Sequence, residues 1–179
     1  MTTVSLYLSL FISLMIVSSL LHFLLTGNTP PISTPKKSVE KIIQNIKLKD
    51  TDTFYDLGCG TGKFLSTLSK AYPETKCIGI ESSLTTYITA LFLSIFKVRR
   101  NTNIKFGNFF KINLSPATHI FLWIYIKDLD KLILKLKKEL KPGTFVYSMD
   151  FPFSGIQPSD KIDLCKGKTF GHTLYVYIF

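Results

Sequence analysis

Little in this 179-residue chain could cross-link the fold or hold a metal. Its three cysteines, Cys59, Cys77 and Cys165, are an odd number at no disulfide-like or metal-ligand spacing. That pattern excludes a disulfide framework and a structural zinc site, and it fits a reducing compartment; no bound metal is expected. Acidic residues number only 12 against 22 Lys and Arg, a net charge of +10. The most telling absence is local: no Asp, Glu, Lys or Arg precedes Lys36. Internal repeats and low-complexity tracts are missing too, and the length accommodates one globular domain. What is abundant is apolar, 46% of residues, so wholesale disorder is excluded.

The uncharged segment reads as a different solvent environment. From Val4 to Leu25 there is no Asp, Glu, Lys or Arg, and His22 is the sole side chain that can charge near neutral pH; 22 helical residues extend roughly 33 Å, about the thickness of a bilayer core. Serines interrupt the run, but a serine hydroxyl can bond back to its own helix and is tolerated in lipid. Residues 4–25 are expected to form one transmembrane anchor, and residues 26–37, with Pro30, Pro31 and Pro35, a short linker. A cleaved signal peptide is the rival reading, but it calls for a basic start and a small-residue cleavage site. The first cations, Lys36 and Lys37, lie beyond the span, which by the positive-inside tendency places the rest of the chain on the cytoplasmic or organelle-interior side of the membrane.

Residues 38–179 then carry nearly all the charge. Attraction to an anionic membrane face, binding of nucleic acid and plain solubility compete as explanations. No helix-turn-helix, zinc finger or aromatic-interleaved basic motif supports nucleic acid as a partner. In the sharpest basic stretch, 128–141, Leu129, Leu132, Ile133, Leu136 and Leu140 recur at helical spacing, and Lys131, Lys135 and Lys138 share another face.

Hydrophobic periodicity alternates strands and helices. Strands are expected at 53–57, 76–80, 103–106, 118–123 and 144–149, and helices at 63–71, 84–98 and 128–141, with a shorter one opened by Thr34 as cap and Pro35 as first residue. Such alternation means right-handed crossovers and a parallel sheet covered on both faces, an α/β doubly wound, Rossmann-like fold. Two further extended runs, 162–165 and 174–179, have no helix between them and suggest a terminal antiparallel pair, for seven strands in all. The segment 84–98 is apolar on nearly every side and too short to span a bilayer comfortably, so burial within the fold is its default; a face resting on a membrane is the other reading.

The chemistry is concentrated in Asp56-Leu57-Gly58-Cys59-Gly60-Thr61-Gly62-Lys63. A strand running into alternate glycines before a helix lets a ligand lie against backbone, as at the nucleotide end of a doubly wound sheet. The spacing is not the dinucleotide G-x-G-x-x-G, and Gly62-Lys63 is followed by Phe64 rather than the Ser or Thr of a P-loop. Asp56 would repel a diphosphate and welcome a cation. Glu81, followed by Ser82, closes the second strand 23 residues after Gly58, where an acid can accept from both ribose hydroxyls. An adenosine bearing a positive charge and no phosphate meets these demands, and S-adenosylmethionine fits that description.

Through Asp56 to Gly62 and Glu81 the chain resembles the class I, seven-strand S-adenosylmethionine-dependent methyltransferases. The N-terminal apolar run, Pro30 to Pro35, Gly107-Asn108-Phe109-Phe110, Lys135 to Gly143, Phe151-Pro152 and a tyrosine-rich last strand extend the likeness to the small membrane-anchored protein-lysine methyltransferases. That family includes enzymes modifying ATP synthase subunit c and the adenine nucleotide translocase. The resemblance implies a mostly parallel sheet with an antiparallel C-terminal strand, a membrane-associated protein substrate, and a cofactor held by Asp56, Gly58, Cys59, Gly60, Gly62, Glu81 and Ser82, with Asn108 and Phe109 beside adenine. Relatives often carry Asp at the position of Asn108, which also reads as a plain turn residue. They tend to show Tyr and Pro after the fourth strand, where this chain has Trp123 and Ile126. Trp123, Tyr125 and Phe109 are candidate walls of an acceptor channel. No general base stands out: His119 and His172 read equally as structural residues, and the catalytic residue is left open.

Overall fold

In the computed structural model, residues 3–26, 33–95, 101–165 and 170–179 are described. Helix α1 spans Thr3–Thr26 and α2 Lys36–Asn45. An alternating region follows: β1 (Thr53–Leu57), α3 (Lys63–Ala71), β2 (Lys76–Glu81), α4 (Leu84–Ile95), β3 (Thr102–Phe106), β4 (His119–Leu122), α5 (Ile126–Glu139) and β5 (Phe145–Met149). Two strands, β6 (Asp160–Asp163) and β7 (Thr173–Ile178), complete it.

The seven strands form one sheet in the order β3-β2-β1-β4-β5-β7-β6. The first five are parallel, and β7 runs antiparallel to both β5 and β6. Order reverses between β1 and β4, so a crevice opens there beyond the carboxyl ends of the strands, the usual ligand position in such sheets. Strand alternation splits the core in two. Tyr55, Leu57, Ile120, Leu122 and Val146 pack against Leu129, Leu132 and Leu136 of α5 on one face. On the other, Phe54, Cys77, Phe121 and Tyr147 pack against Ile42 of α2 and Leu65 and Leu68 of α3.

Several boundaries differ from expectation. Helix α2 begins at Lys36, with Pro35 rather than Thr34 at its cap and the Pro35 carbonyl accepting from Val39 N at 3.0 Å. Helix α5 starts two residues early, at Ile126, and stops before the Pro142-Gly143 turn. The described part of α4 ends at Ile95; residues 96–98 of its expected extent, and 27–32 of the linker, lie outside the described residues. Burial of α4 is corrected as well. Thr85, Thr86 and Ala90 are buried, but Leu84 is 52% and Phe92 61% exposed, because α4 lies over the edge of the sheet against β3 and β2 and turns its other side outward.

The segment expected to cross a membrane folds as helix α1, 24 residues long. Among the described residues, however, no helix is long and apolar enough to cross a membrane.

Candidate active site

Strand β1 carries Asp56 to the carboxyl edge of the sheet, and the chain then turns sharply. Gly58 N and Cys59 N both donate to Ile80 O, at 2.9 and 3.1 Å, which moors the loop to β2. Gly60 has φ +56°, and a Cβ placed there would meet nothing within 4 Å; its glycine is demanded by backbone conformation on the side open to a ligand. Gly62, also left-handed at φ +72°, is the cap of α3, and a side chain would strike Ile104 Cδ1 at 2.6 Å. Amide groups of the loop and of the first turn of α3 are thereby turned toward the crevice.

Glu81, at the end of β2, is buried. Its Oε2 accepts from Gly60 N at 3.0 Å and its Oε1 from Ser83 N at 2.7 Å. This carboxylate therefore fixes the apex of the glycine loop and keeps further lone pairs for a ligand. Asp56 is 3% exposed. Burial, reinforced by the charge of Glu81, pushes its carboxyl up to about 8. Among the described residues no Lys, Arg or His forms an ion pair with either acid. In a chain of net charge +10, two buried acids without a cation ask for a positively charged ligand. Together with the open backbone at Gly60, they fit the aminoacyl and ribose portions of S-adenosylmethionine.

The remaining site residues named from the sequence divide. Cys59 contributes backbone only: its thiol turns into the fold, where a Cβ on Gly79 would lie 2.6 Å from Sγ. Burial, with Asp56 and Glu81 adding to it, pushes that thiol far up, so it is inert. Ser82 is exposed beside Glu81. Asn108 is held near the site because Gly107 N donates to Glu81 O at 2.8 Å; its own Oδ1 accepts from Phe110 N at 2.9 Å, an Asx turn. Phe109 is half-buried against Phe110, ring centroids 4.7 Å apart. Segments 58–62, 81–83 and 107–109 thus converge at the ends of β1, β2 and β3, and Trp123, Ile124 and Tyr125 follow β4 across the crevice.

His119 belongs to the other end of the sheet. It opens β4, bonds Thr118 Oγ1 at 3.0 Å and stacks on Phe145 at 5.1 Å. Burial pushes its imidazole down, against an opposing pull from Asp52, so it serves as a neutral core residue. His172 places Nδ1 3.2 Å from Asp150 Oδ1.

Three supporting residues were missed in the sequence. Ser83 donates to Glu81 and caps α4, accepting from Thr86 Oγ1 at 3.0 Å; Ser before a helical run is a readable cap signal. Ile124 lies 3.8 Å from where a Gly58 side chain would start. Asp150, left-handed at φ +63°, accepts from Gly171 N at 2.6 Å and His172 N at 2.9 Å; no sequence signal marks either of these two.

A sequence profile described as the ANTKMT methyltransferase domain matches residues 56–160. A protein-lysine N-methyltransferase of Saccharolobus islandicus (strain REY15A) is 35% identical over 153 residues, 84% of this chain and 94% of that protein. A tRNA (guanine-N(7)-)-methyltransferase of Mycoplasma capricolum subsp. capricolum is 36% identical over 94 residues, 49% of this chain and 43% of the relative. Among solved structures, an RNA methyltransferase from Salinibacter ruber in complex with S-adenosyl-L-homocysteine superposes with a TM-score of 0.74 at 26% identity, covering 82% of this chain and 93% of that one.

Proposed function

We infer that this chain, which belongs to the ANTKMT methyltransferase domain family and is an S-adenosylmethionine-dependent methyltransferase, delivers its methyl group to lysine side chains of membrane-associated proteins. The observation that carries the lysine reading is the 35% identity with a protein-lysine N-methyltransferase across 84% of the chain.

The bound cofactor supplies an electrophilic methyl on a sulfonium, an excellent leaving group. The protein's contribution is then placement and exclusion of water. The glycine loop at 58–62 would hold the aminoacyl end, Glu81 the ribose hydroxyls, and Asn108 and Phe109 the adenine. Asp56 answers the cofactor's positive charge. A lysine amine ordinarily holds its proton to about 10.4, and entry between the half-buried Trp123, Ile124 and Tyr125 would strip water from it and favour the neutral nucleophile.

Residues 4–25 serve in this reading as an anchor, 26–37 as a linker and 38–179 as the catalytic domain, facing the cytoplasmic or organelle-interior side. Support comes from α1: Val4, Leu8, Phe11, Leu14 and Val17 are each more than half exposed, and the sequence stays free of Asp, Glu, Lys and Arg through Pro35.

Transfer of labelled methyl from S-adenosylmethionine into a whole-cell fraction tests both parts. Label is expected as methyllysine in membrane protein. Label in RNA or lipid would replace the lysine reading, and label confined to free cytosolic protein would remove the membrane one. Glu81→Ala should weaken S-adenosylmethionine by about 1 to 3 kcal/mol, the cost of lost buried hydrogen bonds, read by calorimetry as roughly a fivefold to hundredfold rise in Kd.

A further inference from the structure

Helix α4 breaks the usual rule for a surface helix, a polar face turned to water. Its twelve residues, LTTYITALFLSI, include no charge, although the chain as a whole is strongly basic. Leu84, Ile88 and Leu91, spaced i, i+4, i+7, form one stripe and are 52%, 43% and 40% exposed. Phe106 on β3, 52% exposed, extends it through its ring contact with Tyr87 at 5.5 Å. Five of the ten exposed large apolar side chains among the described residues outside α1 sit on this one helix. Single exposed apolar residues need no explanation, but a contiguous uncharged face marks an interaction surface.

Helix α1 indicates what covers it. α1 touches α4, so the exposed apolar side chains of the two helices lie on neighbouring elements, and the stripe remains exposed with α1 in place. A covering layer that meets both is apolar and extended. We propose that the outer face of α4, with Phe106, lies in the acyl boundary of a lipid bilayer as a second membrane contact beside α1. The proposal rests on the anchor reading of α1. It also sets an orientation. Leu84 is three residues past Glu81, so a docked α4 holds the cofactor end of the sheet at the headgroups, and Trp123 and Tyr125 open toward targets emerging from the membrane.

The test uses the full chain with Cys165→Ser, because the buried Cys59 and Cys77 leave Cys165 as the competing thiol for labelling. A fluorophore is attached through Ile88→Cys or, as control, through Leu134→Cys on α5, on the opposite face of the sheet. Protein is mixed with phosphatidylcholine–phosphatidylglycerol vesicles carrying spin-labelled acyl chains. Co-sedimentation with at least twofold quenching at position 88 and none at 134 is the expected result. Co-sedimentation with equal or no quenching at the two positions would leave the anchor and overturn the docking of α4. Failure to sediment would overturn the anchor reading and this inference with it. Protection of position 88 from aqueous iodide before vesicles are added would assign the stripe to a second copy of the chain instead.

Discussion

Asp56 is buried among apolar strands within electrostatic reach of Glu81, and its carboxyl keeps its proton up to about 8 rather than its ordinary 3.8. An unfolded chain would release that proton near the ordinary value. Between the two, the folded state binds one proton more than the unfolded state, so this residue's contribution to stability is most favourable below about 4 and declines as pH rises toward 8, where the slope ends. Asp56→Asn should therefore flatten this part of the pH–stability profile in denaturant titrations. A cationic ligand reverses the preference and favours the carboxylate. S-adenosylmethionine binding at pH 7 should release close to one proton and tighten as pH approaches 8. Calorimetry in two buffers of different ionisation enthalpy measures that release, and Asp56→Asn should abolish it. A wild-type enthalpy independent of the buffer would show that binding moves no proton and would overturn this role for Asp56.

At the level of elements, the glycine loop and β2 are fitted closely to each other. A Cβ at Gly79 would lie 2.6 Å from Cys59 Sγ and 3.0 Å from its Cβ, so Gly79→Ala overpacks this junction and should cost about 1–3 kcal/mol. Adding Cys59→Ala removes the sulfur and should recover part of the loss, a coupling that a double-mutant cycle in thermal unfolding would reveal. Additive losses would show that the loop shifts freely. The contact also shows what sequence can and cannot convey. Gly58, Gly60 and Gly62 were legible because positive φ leaves a residue signature, and β1, α3 and β5 because their apolar periods are clear. The partner of Cys59 was not, since it comes from another strand. Nor was the exposure of α4, because an uncharged apolar helix reads the same whether its neighbour is protein or lipid. Asp150 stayed hidden for a related reason: a lone Asp can adopt a left-handed conformation, but only the backbone of 171–173 that it binds reveals that it does.

On the scale of the whole molecule, the cofactor cradle and the N-terminal helix are built from separate parts of the chain. Among the described residues, none of α1 enters either core cluster, and every carboxylate and glycine of the cradle lies on or after β1. Removing residues 1–32 should therefore leave the affinity for S-adenosylmethionine within about twofold and the methylation of a soluble polylysine peptide unchanged. Membrane targets are a different matter. Tethering an enzyme to the surface that holds its substrate replaces a three-dimensional search with a confined one, a gain on the order of 10²-fold in effective concentration when the geometry permits engagement. Methylation of membrane proteins by the shortened chain should fall by a comparable factor, measured as methyllysine in sedimented membranes at matched enzyme concentration. Equal methylation by the two forms would show that the catalytic domain finds its targets unaided, and the apolar N-terminus would need another role.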